Sequence, residues 1–353
     1  MTKARLHHFD MLKGIAIFLV VMGHVLTMCI RDIDSAVLFK LVEKIHMPIF
    51  FFISGYFTYK LTENGKVKSP NLFSRAKQLL VPFFVVSILW IYYFPNSGLQ
   101  SPFISTWDGL FFVESKNGYW FTLCLFELIL LYSLLTPLFS LCRKVLSRFC
   151  VILLVWLGLL IITHYLQNTC IYGLLGLQFA CEFFPIFMLG ILAKAECVTF
   201  DKITASNRGV TVALLLGSVL MYFVCWPWEI NLSYKYVVVV KQFLYPCVIL
   251  VAISIVKPWG ETAFDVNNPN GTIIARLFEY IGTQSLAVYL LHYFFLFPLP
   301  ILRGPLLDMN LNIVPTFIAA AFFAIIIIAV TLCVNYIVSK SKLFALILTG
   351  KIN

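Results

Sequence analysis

The sequence predicts an all-α membrane protein, built as a polytopic bundle of transmembrane helices. Of its 353 residues, 61% are hydrophobic and only 12% are charged, whereas soluble domains are roughly half apolar and one quarter charged. The mean hydropathy is +0.93. Apolar stretches of about 20 residues, the length that crosses a bilayer, recur along the whole chain. These observations exclude an ordinary soluble domain.

Ten such stretches predict about ten spans, and an even number places both termini on the same side of the membrane. Most of the 26 lysines and arginines fall in alternate connections. Because cytoplasmic loops are enriched in these residues, we expect both termini to be cytoplasmic. The predicted spans are approximately 10–30, 46–62, 74–94, 118–141, 149–167, 172–195, 208–227, 236–256, 281–302 and 313–338.

The whole chain, residues 1–353, is predicted to form a single integral-membrane domain in the plasma (inner) membrane. Lys3 and Arg5 precede an apolar run that is too long for a signal peptide, so we expect the first span to stay attached. The net charge of +10 is explained by topology and contact with membrane lipids, and not by nucleic-acid binding. The ten cysteines contain no C-x-x-C pair, so no metal site is predicted.

The first span carries two polar residues within the run KGIAIFLVVMGH. On an α-helix, Lys13 and His24 would lie within about 20° of each other and about 16 Å apart along the axis. Asp10 can pair with Lys13 near the cytoplasmic end. Polar groups inside a membrane usually face the interior of the bundle, so the shared face predicts a polar cavity. The alternatives are an interface anchor for Lys13 and a hydrogen bond between helices for His24.

The second span begins with HMPIFFFISGYF. We expect His46 to lie near the same membrane surface as His24, where two imidazoles would form a better catalytic cluster than one. Gly55 permits close approach of another backbone, and Ser54 can donate a hydrogen bond. Small residues at a plain helix crossing remain the alternative for Ser54 and Gly55.

Two further spans contain polar residues. In the ninth span, Ser285, Tyr289 and His292 follow each other at four and then three residues, which predicts one face of a continuous helix. Their role is either packing or cavity lining. In the fourth span, an unpaired Glu127 carboxylate would be costly, so it is expected to orient an imidazole or to pair with Lys241 or Lys13.

Taken in order, these motifs resemble the integral-membrane acyltransferase-3 family. The similarity continues through NLFSRAKQLLVPFF, YWFTLCLFE, FFPIFMLGILAK and GTQSLAVYLLHYFF, and it covers roughly residues 6–338. The resemblance implies an O-acyltransferase that moves an acyl group, usually acetyl, from cytoplasmic acyl-CoA to a hydroxyl of a cell-envelope carbohydrate or lipid-linked sugar. Acetyl-CoA is then a co-substrate. Longer members carry a C-terminal extracellular hydrolase-like domain that is not found here, which leaves open whether a protein partner delivers the acceptor.

The resemblance also implies roles for individual positions. Lys13 and His24 match the basic residue and the catalytic histidine of the first motif, and Arg75 matches a basic position linked to the acyl-CoA side. The candidate catalytic residues are His24, His46 and Ser54. The candidate CoA-binding residues are Lys13, Arg75 and Lys77. The candidate substrate or cavity-lining residues are Asp10, Gly55, Trp120, Glu127, Tyr289 and His292.

The chemistry of these side chains suits acyl transfer. An imidazole with a pKa near 6.5 can take the hydroxyl proton at neutral pH, although direct acylation of His24 is an open alternative. Ser54, Tyr289 or a backbone N–H near Gly55 would stabilise the oxyanion. The rival function is a multi-span transporter or flippase of an envelope-glycan precursor, and the lack of evident inverted halves weighs against it.

Overall fold

The structure is a computed structural model of the 353-residue chain. Throughout the part that it describes, the chain is helical apart from connections and one isolated β-bridge between Leu61 and Val67. The prediction of an all-α protein is confirmed. The structure describes residues 6–30, 33–99, 105–142, 144–225, 234–263, 273–298 and 313–351.

The helices follow one another with mostly short connections. The first continues past its last α-helical residue as a π-helical segment, Val25–Ile30, and 3₁₀ segments occur at Phe94–Asn96, Lys116–Gly118 and His292–Phe295. The α-helices are α1 (His7–His24), α2 (Ile33–Thr58), α3 (Leu72–Tyr93), α4 (Trp107–Phe111), α5 (Trp120–Leu141), α6 (Val145–Leu166), α7 (Cys170–Leu174), α8 (Leu177–Ala195), α9 (Cys197–Thr204), α10 (Asn207–Cys225), α11 (Tyr234–Ala263), α12 (Ile273–Thr283), α13 (Ser285–Leu291), α14 (Ile313–Val338) and α15 (Lys342–Thr349).

Eight helices in the described ranges are long and apolar enough to cross a membrane, and they coincide with eight of the ten predicted spans. The chain is therefore a multi-pass membrane protein by the length and composition of its helices. The side of the membrane on which the termini lie stays a prediction. The eight segments are His7–Ile30, Leu72–Asn96, Trp120–Leu141, Val145–Leu166, Leu177–Ala195, Asn207–Cys225, Val237–Glu261 and Val314–Val338.

The second predicted span had the wrong limits. We expected 46–62, but α2 begins at Ile33 and ends at Thr58. Its first half contains Lys40, Glu43 and Lys44, and these charges suggested a loop. Lysine and glutamate are good helix formers, however, so a hydropathy pattern alone misses a helix that starts in a charged segment.

The ninth predicted span is not the continuous helix that we expected. Within 281–302, α12 ends at Thr283 and Gln284 leaves the helical conformation at φ −103°, ψ 8°. The chain resumes as α13 and changes to 3₁₀ winding at His292. Glycine and threonine near the end of α12 are weak helix formers, which favours a break there. Residues 299–302 lie outside the described ranges.

The described chain divides into two compact units, with boundaries inside α2, at the start of α9 and inside α14. The first unit comprises Met1–Phe50 and Val198–Val334. In it α1 packs against α11, α12 and α13, and α10 packs against α11. At the contact of α1 with α12, a Cβ on Gly14 would lie 1.9 Å from the Phe278 carbonyl oxygen, and one on Gly282 would lie 1.8 Å from the Asp10 carbonyl oxygen. Only glycine allows this approach.

The second unit comprises Phe51–Cys197 and Asn335–Asn353. Here α3 packs against α5 and α15, while α8 packs against α5 and α6. A Cβ on Gly55 would lie 1.9 Å from the Phe187 carbonyl oxygen, and one on Gly190 would lie 2.0 Å from the Phe52 carbonyl oxygen. The prediction that Gly55 allows close backbone approach is confirmed. Gly55 therefore joins α2 to α8.

Candidate active site

His24 is the last residue of α1 before the winding changes. The following segment, Val25–Ile30, is π-helical, and the Thr27 hydroxyl donates to the Gly23 carbonyl oxygen at 3.0 Å. Short π-helical segments inside helices are frequent at functional sites. From Lys13 to His24, however, α1 is continuous, so these two residues do share one helical face as predicted.

A tyrosine is the hydrogen-bond partner of His24. The Tyr293 hydroxyl lies 3.0 Å from His24 Nε2, and the two ring centroids are 4.7 Å apart. The Tyr293 side chain is fully buried, whereas His24 retains partial exposure. Sequence reasoning missed Tyr293. The available signal was its place next to His292 in GTQSLAVYLLHYFF, and the 3₁₀ segment that turns it toward α1 was not predictable from helical spacing.

His292 lies beside both rings. Its centroid is 5.2 Å from that of His24 and 4.3 Å from that of Tyr293, and it is fully buried. His292 Nδ1 lies 2.9 Å from the carbonyl oxygens of Val288 and of Tyr289. Because a carbonyl oxygen only accepts, Nδ1 carries the proton in the neutral ring and Nε2 carries the lone pair.

The other predicted residues of the first unit lie near this pair or along α1. His46 is buried at 5% exposure and lies close enough to His24 for their charges to interact. Tyr289 is also buried, with its ring centroid 6.3 Å from that of His292. His292 keeps α-helical backbone angles (φ −60°, ψ −30°) and its N–H donates to the Val288 carbonyl oxygen, so the predicted helical face of Ser285, Tyr289 and His292 is retained.

The prediction that Asp10 pairs with Lys13 is confirmed. The Lys13 ammonium lies 2.7 Å from an Asp10 carboxylate oxygen, and the lysine side chain keeps 25% exposure. The carboxylate compensates the lysine charge at the start of α1.

The remaining predicted residues lie in the second unit. Arg75 is partly exposed, and one guanidinium nitrogen donates to Gln78 Oε1 at 2.8 Å. Lys77 is exposed, and its ammonium lies 4.3 Å from the centroid of the Phe73 ring. Ser54 is partly exposed, and its carbonyl oxygen accepts the Thr58 hydroxyl at 2.7 Å. Arg75 and Lys77 thus keep polar atoms available to solvent.

Glu127 and Trp120 occupy different environments on α5. The Trp120 ring stacks on Phe179 at 3.9 Å between centroids. Both Glu127 carboxylate oxygens are buried, and neither has a hydrogen-bond partner among the described residues. The cation whose charge reaches Glu127 is Lys116, and not Lys13, which pairs with Asp10. The expected role of Glu127 in orienting an imidazole stays a prediction.

Lys116 is an unexpected feature of the second unit. We placed it in an outer loop, but it is 1% exposed and its ammonium donates to the carbonyl oxygens of Phe111 and Gly173. It also has a left-handed backbone conformation, with φ at 49°. Burial lowers the pKa of the Lys116 ammonium to about 8. This lysine joins α4 to α7, which is a structural role.

The fold and the aromatic cluster together define a class: an all-α membrane protein in which His24, His292 and Tyr293 pack against one another within one compact unit. The chain belongs to the acyltransferase family whose model, described as an acyltransferase domain, matches residues 6–336. Within the described ranges, His, Cys, Asp and Glu side chains form no group that could hold a metal ion.

Two curated relatives share part of the chain. Nodulation protein NolL of Sinorhizobium fredii (strain NBRC 101917 / NGR234) is 30% identical over 184 residues, which is 49% of this chain and 48% of the relative. Nodulation protein NolL of Mesorhizobium japonicum (strain LMG 29417 / CECT 9101 / MAFF 303099) is 31% identical over 179 residues, with 49% and 47% covered. The chain thus spans about half the length of the curated relatives that it matches. No solved structure matches it significantly.

Proposed function

We propose that the protein is a membrane O-acyltransferase that moves an acyl group, in the first instance acetyl, from acyl-CoA to a hydroxyl of a cell-envelope carbohydrate or lipid-linked sugar. Membership of the acyltransferase family supports the reaction class. The observation that carries the proposal is the partly exposed His24, which is hydrogen-bonded to Tyr293 and packed beside His292.

In the proposed reaction His24 is the general base. It takes the proton of the acceptor hydroxyl while the hydroxyl oxygen forms a bond to the acyl carbon. The carbon–sulfur bond of the thioester then breaks, and the imidazolium returns the proton to the CoA thiolate. General-base catalysis of this kind contributes about 10²–10⁴ in rate. A second route, through an acylated His24, gives the same products and would be recognised by label trapped on the protein after denaturation.

The acyl-CoA phosphates require cations on the predicted cytoplasmic side. Arg75 suits this role because its planar guanidinium binds phosphate bidentately, and its partial exposure leaves the group accessible. Lys77, two residues further along α3, is exposed. Lys13 would contribute from its place beside Asp10, where its side chain is 25% exposed.

The remaining candidates take supporting roles in the proposal. His46 would assist His24, and Tyr289 would donate to the developing oxyanion. Trp120 and Glu127 are proposed to line the path of the acceptor, since an aromatic face and a carboxylate are both suited to a sugar. Asp10 is assigned to the donor side through its ion pair with Lys13.

The test is to incubate the purified protein, in detergent or in liposomes, with acetyl-CoA labelled in the acetyl group. We expect CoA release and transfer of label to lipid-linked sugars extracted from cell envelopes. A transporter or flippase would release no CoA under the same conditions. Mass analysis of envelope glycans from cells with and without the protein would then identify the acceptor by the mass of one acetyl group.

A further inference from the structure

The last long helix, α14, ends at a tyrosine and lysine pair that indicates a membrane surface. Tyr336 is 63% exposed, and the Lys340 ammonium lies 5.0 Å from the centroid of its ring. Tyrosine is enriched at the interface between membrane and water, and a lysine near a helix end extends its ammonium to the same level. The span Val314–Val338 therefore reaches the lipid headgroups where it ends.

The short helix α15 follows directly, after residues 339–341. Its eight residues extend over about 12 Å, whereas the hydrocarbon core is about 30 Å thick, so α15 cannot cross the membrane. It packs against α3 in the second unit. Ala345 and Thr349, one helical turn apart, are buried, while Leu343 and Phe344 are 63% and 53% exposed. Two large apolar side chains of α15 are thus exposed near the level of the headgroups.

The end of α15 is fixed by backbone hydrogen bonds. Gly350 has a left-handed conformation at φ 67°. Its N–H donates to the Leu346 carbonyl oxygen at 3.1 Å, and the Lys351 N–H donates to the Ala345 carbonyl oxygen at 3.1 Å. The Thr349 hydroxyl donates to the Ala345 oxygen as well, at 2.7 Å. These bonds satisfy polar groups at the end of the helix, which contact with lipid requires.

The charges around α15 all have the same sign. From Asn335 to Asn353 the sequence contains Lys340, Lys342 and Lys351 but no aspartate or glutamate. Lys342 is exposed at the start of α15. Lysines beside exposed apolar side chains are typical of helices that lie on an anionic membrane surface. The cytoplasmic leaflet, where we predict the C-terminus to lie, is the leaflet with an anionic surface.

The first turns of α3 show the same combination of side chains. Phe73 is 71% exposed, and the Lys77 ammonium lies 4.3 Å from the centroid of its ring. The sequence of α3, Leu72–Tyr93, contains no aspartate or glutamate. This helix is predicted to begin on the side of the membrane where α14 ends. The helix against which α15 packs therefore adds cationic and aromatic surface on the same side.

We propose that α15, with Lys340 and Lys342, is an interfacial platform that binds the headgroup phosphates of anionic phospholipids, while Leu343 and Phe344 insert among the acyl chains. The inference is independent of the proposed function. Each lysine near an anionic surface strengthens binding about fivefold, so the two together contribute about 25-fold. A soluble phosphate would gain nothing from the apolar pair, and a second copy of the chain would bring like charges together.

The first experiment titrates the detergent-solubilised full chain with phosphatidylglycerol or phosphatidylcholine and follows the melting temperature. We expect phosphatidylglycerol to stabilise the protein at lower concentration than phosphatidylcholine does. In Lys340→Gln/Lys342→Gln, the half-maximal concentration of phosphatidylglycerol should rise about 10- to 25-fold.

The matched control is Lys144→Gln/Lys202→Gln, which removes two exposed lysines outside the platform. Because screening limits the effect of distant charges, we expect a rise of less than about twofold. Equal half-maximal concentrations for the two double variants would overturn the inference. Stabilisation of the wild type by inorganic phosphate at the same concentrations would also overturn it, since the site would then bind soluble phosphate.

The second experiment measures the depth of α15 in vesicles of phosphatidylcholine and phosphatidylglycerol in equal parts. Nitroxide labels are attached at Phe344→Cys or Lys342→Cys after replacement of the reactive native cysteines. We expect dissolved oxygen, which partitions into acyl chains, to relax the label at 344, and a water-soluble nickel chelate to relax the label at 342. Equal access of the chelate to both labels would place α15 in water and refute the platform. Shielding of the label at 344 from both reagents would show that protein, such as a second copy, covers it, which also contradicts the inference.

Discussion

At the scale of single residues, the candidate site depends on which polar atoms are held by the protein and which are left for substrates. His24 shares Nε2 with Tyr293, and His292 has Nδ1 committed to two backbone carbonyls. Lys13 pairs with Asp10. In each of these groups the fold fixes the position of at least one polar atom.

Arg75 provides a prediction about the donor. Arg75→Ala should raise the KM for acetyl-CoA about 10-fold or more, because charge-assisted hydrogen bonds contribute about 1.5–3 kcal/mol each. The value of kcat at saturating donor should change little. Lys202→Ala, at an exposed lysine of α9, is the charge-matched control. If the KM of Arg75→Ala equals that of wild type, Arg75 serves only membrane topology.

Helical spacing in the sequence was sufficient to predict the relative positions of some site residues but not of others. Lys13, His24 and Asp10 were predictable because α1 is an unbroken helix across all three, so sequence distance converts directly into angle and rise. Tyr293 was not predictable, since its direction depends on a 3₁₀ segment. Buried Lys116 was missed because an outer-loop position in a hydropathy plot gives no information on tertiary contacts.

At the scale of elements, the contact between α1 and α12 determines where the site residues of α1 lie. The helices approach each other through Gly14 and Gly282, where a Cβ would overlap backbone atoms of the other helix. His7 Nδ1 and Glu279 Oε1, 2.7 Å apart, join the same two helices near the start of α1. Close packing through small residues is a common means of helix association in membranes.

This contact gives a prediction with an internal control. Gly14→Ala and Gly282→Ala should each separate α1 from α12 and lower the thermal stability of the detergent-solubilised protein by several degrees or prevent its accumulation, since overpacking typically costs about 1–3 kcal/mol. Gly158→Ala on α6 should have no such cost, because no atom lies within 4 Å of the added Cβ. Equal melting temperatures for all three variants would contradict the close contact.

The elements also show where a hydropathy pattern is informative. Eight long apolar helices were found where predicted, since each is long enough for composition to decide. The prediction of one continuous helix for the ninth span was wrong, because the helix breaks at Gln284 inside an apolar run. The break does not change the composition of the run, so hydropathy does not reveal it. The predicted start of the second span was wrong for a different reason. The charged residues before it are helical, although their composition suggested a loop.

At the scale of the whole molecule, topology decides where the two substrates enter. The predicted orientation puts the basic segment 62–72 on the cytoplasmic side and the segment 96–116 outside. Single cysteines introduced in 62–72 should therefore react with an impermeant thiol reagent only in inverted vesicles, and those in 96–116 only in intact cells. The free native cysteines are first replaced where they react. Reversed labelling would move the donor site to the other side.

The sequence is enough to predict the fold class and the family, whereas the grouping of the site residues is visible only in the structure. The fold class follows from composition, and the family follows from motifs in order along the chain. The grouping of His24, His292 and Tyr293 required the tertiary arrangement of α1 with the region after α12, because residues far apart in sequence meet there.

The central claim, that His24 is the catalytic base, is tested most directly by His24→Gln beside His24→Ala at matched protein level. Glutamine can keep a polar atom near the Tyr293 hydroxyl but cannot take a proton at neutral pH, whereas alanine removes both functions. We expect both variants to insert and to lose acetyl transfer by about 10²–10⁴, with the larger loss of thermal stability in His24→Ala because it leaves a buried hydroxyl without its imidazole partner. Near-wild-type transfer by either variant would contradict the account and leave His24 as a packing residue.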